Sequence, residues 1–206
     1  KFEFYPGQFA MLRLPGFPER SYSMANQPGS EELHFYIRQT PGGRFSEQGL
    51  SIIKQDDGLE IEGPFGTSYL EKSHTGPILA VGGGSGIAPI RSIIDHALED
   101  GMRQPIHLYF GVREERDIYL VGHFQKLEAN YSNFHFRVVV DRGATDKRFF
   151  SGRVGDLVLK DWPEFSGEWR AYMAGPPPMV ESLTEALLER NFDTNWIKAD
   201  PFYRSV

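Results

Sequence analysis

Apolar and polar positions alternate along this chain in two distinct rhythms. Over the first seventy residues the apolar runs are short and bounded by turn residues. Gln8 to Leu14 follows a Pro6-Gly7 turn, Glu32 to Gln39 alternates Leu33, Phe35 and Ile37 against polar neighbours, and Gly58 to Ile61 leads into Gly63-Pro64-Phe65-Gly66. A period of two with this punctuation predicts short strands in an antiparallel barrel or sandwich. After Ser73-His74-Thr75-Gly76-Pro77 the rhythm changes. Pro77 to Val81 predicts a buried strand, and Ala88 to Leu98 a helix with Ile90, Ile93, Ile94 and Ala97 at helical spacing. Ile106 to Phe110, Phe134 to Val140 and Trp169 to Met173 follow as strands, with Tyr119 to Ala129 and Met179 to Arg190 as helices. Strand and helix in alternation predict a doubly wound parallel sheet. The expected division is therefore an antiparallel β-barrel domain over 1–74 and an α/β domain over 75–206.

Two glycine turns sit where a predicted strand hands over to a predicted helix. In Gly82-Gly83-Gly84-Ser85-Gly86-Ile87-Ala88-Pro89, backbone N–H groups and the helix dipole face an anion at the end of the strand. Pro89 stands where a G-x-G-x-x-G fingerprint requires glycine or alanine, and Ile87 stands where a G-x-S-x-G nucleophile elbow requires glycine. The Gly-Lys-Ser/Thr end of a phosphate loop is also missing, so a tight turn or a nucleotide diphosphate cradle remains. The second turn, Gly175-Pro176-Pro177-Pro178-Met179, has a backbone fixed by proline and lies at the same carboxyl edge, where open α/β sheets bind ligands. Together the two read as walls of one cleft.

Composition narrows the chemistry. Of 206 residues, 40% are hydrophobic and 24% charged, and the net charge is −6, which speaks against a nucleic-acid surface. The longest apolar stretches fall far short of the roughly 20 residues of a membrane span. No basic n-region with an apolar h-region opens the chain, so the cytoplasm is the expected compartment. There is no cysteine, which excludes thiolate nucleophiles, disulfides and Cys-held iron–sulfur clusters within these residues. The six histidines, at 34, 74, 96, 107, 123 and 135, include no pair at metal-ligand spacing, so no metal site is expected.

Arg20-Ser21-Tyr22-Ser23, Gly42-Gly43-Arg44-Phe45-Ser46, Gly63-Pro64-Phe65-Gly66, Gly82 to Pro89, Gly175-Pro176-Pro177 and Asp200-Pro201-Phe202-Tyr203 follow one another in the order seen in the ferredoxin–NADP reductase superfamily. The chain most resembles the NADH-dependent reductase components of bacterial aromatic-ring oxygenases, which act in aromatic hydrocarbon catabolism. That resemblance implies an FAD-binding barrel, an NAD-binding α/β domain, and a tail returning to the flavin. Arg20 would pair with the FAD diphosphate, Tyr22 would lie against the flavin, and Ser23 would place its hydroxyl near N5 as the catalytic group. Ser21, Ile37, Gly43, Arg44, Phe45 and Ser46 would complete the FAD contacts, with Ser46 capping a following helical turn. Phe202 or Tyr203 would cover the flavin face.

Gly84, Ser85, Gly86 and Ile87 would hold the pyridine nucleotide diphosphate, and Gly175, Pro176 and Pro177 would border the nicotinamide. Glu114 and Glu115 would accept hydrogen bonds from the ribose 2′-OH and favour NADH over NADPH, although Arg113 and Arg116 beside them would suit a 2′-phosphate. Hydride would pass from NADH to FAD and single electrons onward to a ferredoxin or oxygenase component. The [2Fe-2S] centre would lie on another segment or a partner. Relative to the family, the opening strand of the barrel is missing before Phe4-Tyr5-Pro6-Gly7, and Ala174 stands where many relatives carry cysteine. The competing expectation is a nucleotide-binding fragment without redox turnover.

Overall fold

The computed structural model describes residues 2–203. Strands β1 (Phe9–Arg13), β2 (Arg20–Ser23) and β3 (Glu60–Phe65) form an antiparallel sheet in the order β2-β1-β3. Ala10 and Leu12 are its buried positions on β1, and Leu12, Leu14 and Phe45 form a small core against which Tyr22 and Ile37 pack. Between β2 and β3 lie a wide helical turn over Arg44–Gly49 and the short helix α1 (Leu50–Ile52).

The predicted strand over Glu32 to Gln39 does not form, and only an isolated Met24–Phe35 bridge survives there. Side-chain bonding takes over from a ladder: the His34 N–H donates to Asn26 Oδ1 at 2.7 Å, and Asn26 Nδ2 donates to the carbonyls of Gln27 and Glu32. This polar staple satisfies the backbone locally. Among the described residues the antiparallel strands thus form a three-stranded sheet, and closure into the expected barrel is not seen.

The second unit is a parallel sheet of β4 (Ile78–Gly83), β5 (Ile106–Val112), β6 (Phe134–Val140), β7 (Phe150–Ser151), β8 (Arg170–Gly175) and β9 (Ile197–Pro201). Its order is β7-β6-β5-β4-β8-β9. Helices α2 (Ile87–Glu99) and α3 (Val121–Asn130) cover one face, and α4 (Val154–Asp161) and α5 (Pro177–Leu188) the other. The alternation along β4 explains both layers. Ile78 and Ala80 join the α2/α3 core, while Leu79 and Val81 join the α4/α5 core, and all four are buried. The helix expected from Tyr119 begins at Val121, because Leu120 takes a left-handed φ of 62°. Among the described residues, no helix is long and apolar enough to cross a membrane.

The chain runs outward from β4 through β5 and β6 to β7, then returns to the other side of β4 as β8 and β9. The order reverses between β4 and β8, so a crevice opens beyond their carboxyl ends. Both glycine turns lie at those ends.

Candidate functional site

The two glycine turns touch backbone to backbone. A Cβ on Gly86 would lie 2.2 Å from the Ala174 carbonyl oxygen, and one on Gly83 would lie 2.6 Å from Met179 Sδ and 2.7 Å from Pro176 Cδ. Only glycine permits this approach. Gly84 differs from both, since its φ of 55° turns the chain and nothing lies within 4 Å of the Cβ position. The open side of that residue is where a ligand can come against the backbone.

The turns offer different chemistry to such a ligand. Gly84, Ser85, Gly86 and Ile87 carry N–H groups, and no side chain caps the start of α2. That terminus suits an anion. At the start of α5, Pro176, Pro177 and Pro178 carry none, so this wall is rigid and donor-free, suited to a neutral ring. Ile87 is itself fully buried, and its N–H is donated back to the Gly84 and Ser85 carbonyls within the turn. Phe202 is half-buried against the α2/α3 core, with its N–H donated to the Gly175 carbonyl at 2.8 Å. Tyr203 is exposed and donates its hydroxyl to Glu181 Oε1 on α5.

On the smaller sheet, Arg20, Tyr22, Ile37, Phe45 and Ser46 come together. Tyr22 is tilted on Phe45 at 5.6 Å between ring centroids, and burial pushes its phenol up against the opposing effect of Arg20. Phe45 is 2% exposed and lies beneath Tyr22. Arg20 donates to the neighbouring Glu19 carbonyl, and no carboxylate among the described residues pairs with it. Its fork remains available for an anion. Ser21 is exposed, whereas Ser23, on the same strand face, is buried. Gly43 makes a tight approach in which a Cβ would meet Ser46 Oγ at 2.6 Å and the Thr40 carbonyl at 2.8 Å. Ser46 does not cap the helical turn as expected. It sits inside the turn, and its hydroxyl accepts from the Thr40 N–H at 3.2 Å. Arg44 is exposed and reaches the Gly16 carbonyl.

Glu114 and Glu115 follow β5, but both carboxylates already have work in the fold. Glu115 accepts from the Thr145 hydroxyl and N–H at 2.6 and 2.8 Å and from the Asp146 N–H, contacts that hold its carboxyl below the usual range. Glu114 is paired with Arg116 at 2.6 Å and with Arg142. The side chain of Glu114 is one-quarter exposed. Arg113 is exposed beside them.

Four groups at this edge are absent from the sequence expectation as site residues. Tyr119 donates its hydroxyl to the Gly84 carbonyl at 3.1 Å, and Tyr36 meets the Tyr119 ring edge-on at 5.5 Å. Asn26 is buried three residues beyond Ser23. Asp200, opposite Ala174 in the β8–β9 register, has its carboxyl pushed up by burial alone. The readable signal for Asp200 was a polar residue inside the terminal motif already singled out, whereas Asn26 lay outside every motif. Tyr119 lay at a predicted helix start and carried no such signal.

Comparison with known proteins sharpens the reading of this edge. Residues 80–185 match the oxidoreductase NAD-binding domain, and residues 1–69 match the oxidoreductase FAD-binding domain. The chain is 44% identical to the reductase component of the naphthalene 1,2-dioxygenase/salicylate 5-hydroxylase systems of Ralstonia sp, over 98% of the chain and 62% of that protein. It is 41% identical to the naphthalene 1,2-dioxygenase reductase component of Pseudomonas putida, over 98% of the chain and 61% of the relative. The fold matches the Amycolatopsis cytochrome P450 reductase GcoB with a TM-score of 0.91 at 30% identity, covering 98% of this chain and 62% of that one. The ferredoxin reductase of carbazole 1,9a-dioxygenase superposes with a TM-score of 0.83 at 28% identity, over 97% and 61%. The chain thus spans about three fifths of the length of these relatives.

Proposed function

The chain belongs to the ferredoxin reductase-type oxidoreductases that join an FAD-binding to an NAD-binding domain, and from that premise we propose that it takes hydride from NADH onto FAD and passes single electrons to a ferredoxin or oxygenase component. The observation that carries the reading is the pair of glycine turns packed together at the strand-order reversal, one rich in N–H donors and one whose three prolines carry none.

We read the units as 1–74 and 75–206, with the antiparallel sheet as part of a flavin barrel. FAD supplies, when bound, a two-electron acceptor at N5 that can release electrons one at a time. Arg20 and the backbone of Gly43 to Ser46 hold its diphosphate, while Tyr22 and Ile37 offer flat apolar contact. Gly43 is confined to glycine by its own turn, where Ser46 Oγ and the Thr40 carbonyl fill the Cβ direction. Ser23 presents a hydroxyl that hydrogen-bonds at N5. Gly84 to Ile87 bind the coenzyme diphosphate, and Gly175 to Pro177 border the nicotinamide without competing donors. Glu114 reads the ribose 2′-OH and disfavours a 2′-phosphate, so NADH is the preferred coenzyme. Of the terminal aromatics, Phe202 is the better placed to cover the nicotinamide side, since its backbone is bonded to Gly175.

With no cysteine in the chain, the [2Fe-2S] centre of the electron path belongs to a partner or to a further part of a longer protein. The compartment is the cytoplasm. An anaerobic visible spectrum tests all of this. Flavin bands that bleach with NADH more readily than with NADPH support the reading. A chain that binds NADH but cannot be loaded with FAD is a nucleotide-binding module instead.

A further inference from the structure

Two consecutive side chains of α2 reach across to the flavin unit, and each lands on a segment of the proposed flavin site. Ser92, fully buried, donates its hydroxyl to the Asn26 carbonyl at 2.7 Å. Asn26 follows Ser23 by three residues, and its side chain staples His34 and Glu32. Arg91 donates to the Tyr36 hydroxyl, and its guanidinium carbon lies 5.8 Å from the centre of that ring. Tyr36 directly precedes Ile37. Asp95 holds Arg91 from the next turn at 3.1 Å and is itself met by His123 Nε2 at 2.7 Å. Tyr36 closes the ring of contacts through Tyr119, which donates to Gly84.

The first turn of α2 continues directly from the nucleotide turn. From Ile87 to Ser92 is five residues of helix, a rise of about 7.5 Å in a stiff element. The rest of the link along the chain is the loop between β3 and β4. The other side-chain bonds between the units, among them Ser68 to the Ala199 carbonyl, the Glu71 N–H to the Tyr172 hydroxyl, the Glu71–Arg170 and Lys72–Asp100 ion pairs and Gln104 to the His74 carbonyl, fall on neither 20–23 nor 37. We infer that Arg91 and Ser92 are positioning residues: they fix the register of the Ser23 and Ile37 segments against Gly84 to Ile87, and with it the alignment of nicotinamide C4 on flavin N5.

This rests on the proposed hydride transfer, in which the nicotinamide C4–H bond breaks with both electrons, an N5–H bond forms, and NAD+ is released. Such transfer needs reacting atoms at roughly 3–3.5 Å, and a misplacement of about 1 Å costs on the order of 100-fold. A register error too small to release either ligand is therefore enough to slow it.

The test uses Ser92→Ala, Tyr36→Phe, Arg91→Ala and Arg91→Lys in the full chain. The variants are expected to keep their flavin and to half-saturate with NADH within about threefold of wild type. Anaerobic bleaching at saturating NADH falls by about 10- to 100-fold, with partial recovery in Arg91→Lys. The long-wavelength charge-transfer absorbance between flavin and nicotinamide weakens in parallel. In the flavin-free chain, the His34 amide exchanges faster in Ser92→Ala, a readout that needs no coenzyme. Tyr36→Phe removes one hydroxyl and keeps the ring, so it tests the register if Arg91→Ala fails to fold. Wild-type bleaching rates and charge-transfer absorbance in variants whose melting temperature has dropped would overturn the inference, since a purely structural contact behaves that way. Loss of flavin in step with the rate would overturn it as well. If the wild-type chain takes up flavin and NADH does not bleach it, the functional reading has failed, and unchanged His34 exchange in Ser92→Ala then separately overturns the part played by Ser92.

Discussion

Adding a single methyl at Gly86 isolates the contact that holds the two turns together. Gly86 has a φ of −62° and ψ of −11°, so alanine is compatible with its backbone and any cost must come from the neighbour. That neighbour is the backbone of β8: the new Cβ would sit 2.2 Å from the Ala174 oxygen, 2.4 Å from its carbon and 2.6 Å from Gly175 Cα. None of these can rotate away. Reaching ordinary contact requires the turns to separate by about 1 Å, and an over-packed site of this kind costs about 1–3 kcal/mol. The matched control is Gly122→Ala on α3, where nothing lies within 4 Å and the position is exposed. That change should stabilise the chain by about 0.5–1 kcal/mol through helix propensity alone. Urea unfolding of both variants at equal m-value, together with NADH titration of the flavin-loaded chain, reads the difference. Gly86→Ala is expected to lose stability and to raise the NADH half-saturation. Unchanged stability and coenzyme affinity in Gly86→Ala would refute the packed-turn argument.

Three further outcomes follow from other parts of the molecule. Arg20→Ala removes a charged fork with no carboxylate partner in the protein, so FAD binding should weaken by about 10- to 100-fold, a loss of roughly 1.5–3 kcal/mol, while the melting temperature of the flavin-free chain stays near wild type; flavin fluorescence titration measures it. His107 lies against His135, Trp162 and Trp169, and burial lowers its pKa from 6.5 to about 4. The unfolded chain then binds the extra proton between those values, so stability should fall as pH drops from 6.5 toward 4, and His107→Gln should flatten that slope in pH-dependent denaturation. Asp200 runs the other way, because its folded carboxyl is raised by burial and its stabilising share is lost as pH rises through that folded value. Asp200→Asn should therefore gain stability relative to wild type at neutral pH, and no gain would show that the buried carboxyl carries no such cost.

Much of the fold and part of the site can be read before any coordinate is known. The apolar run over Gln8 to Leu14 after its Pro-Gly turn, the apolar run at Pro77 to Val81 and helical spacing from Ile90 to Ala97 are local patterns, and β1, β4 and α2 lie where they point. The glycine turns are legible for the same reason, since they occupy strand-to-helix junctions. Periodicity says nothing about which residue a polar side chain will find, and there the sequence expectation departs from the structure. Glu32 to Gln39 has the alternation of a strand, yet Asn26 satisfies its backbone instead. Ser46 resembles a cap and bonds Thr40, and Glu115, expected at a ribose, instead holds Thr145. The α4 helix shows only a weak repeat of Val154, Leu157 and Val158, and β9 becomes a strand by pairing with β8. Residue types and spacing alone determined the two units and the chemistry available at each turn. Tertiary structure decided which carboxylates stay free, that the turns meet at Gly86 and Ala174, and that Arg91 and Ser92 reach across, because those outcomes depend on contacts between residues distant in the chain.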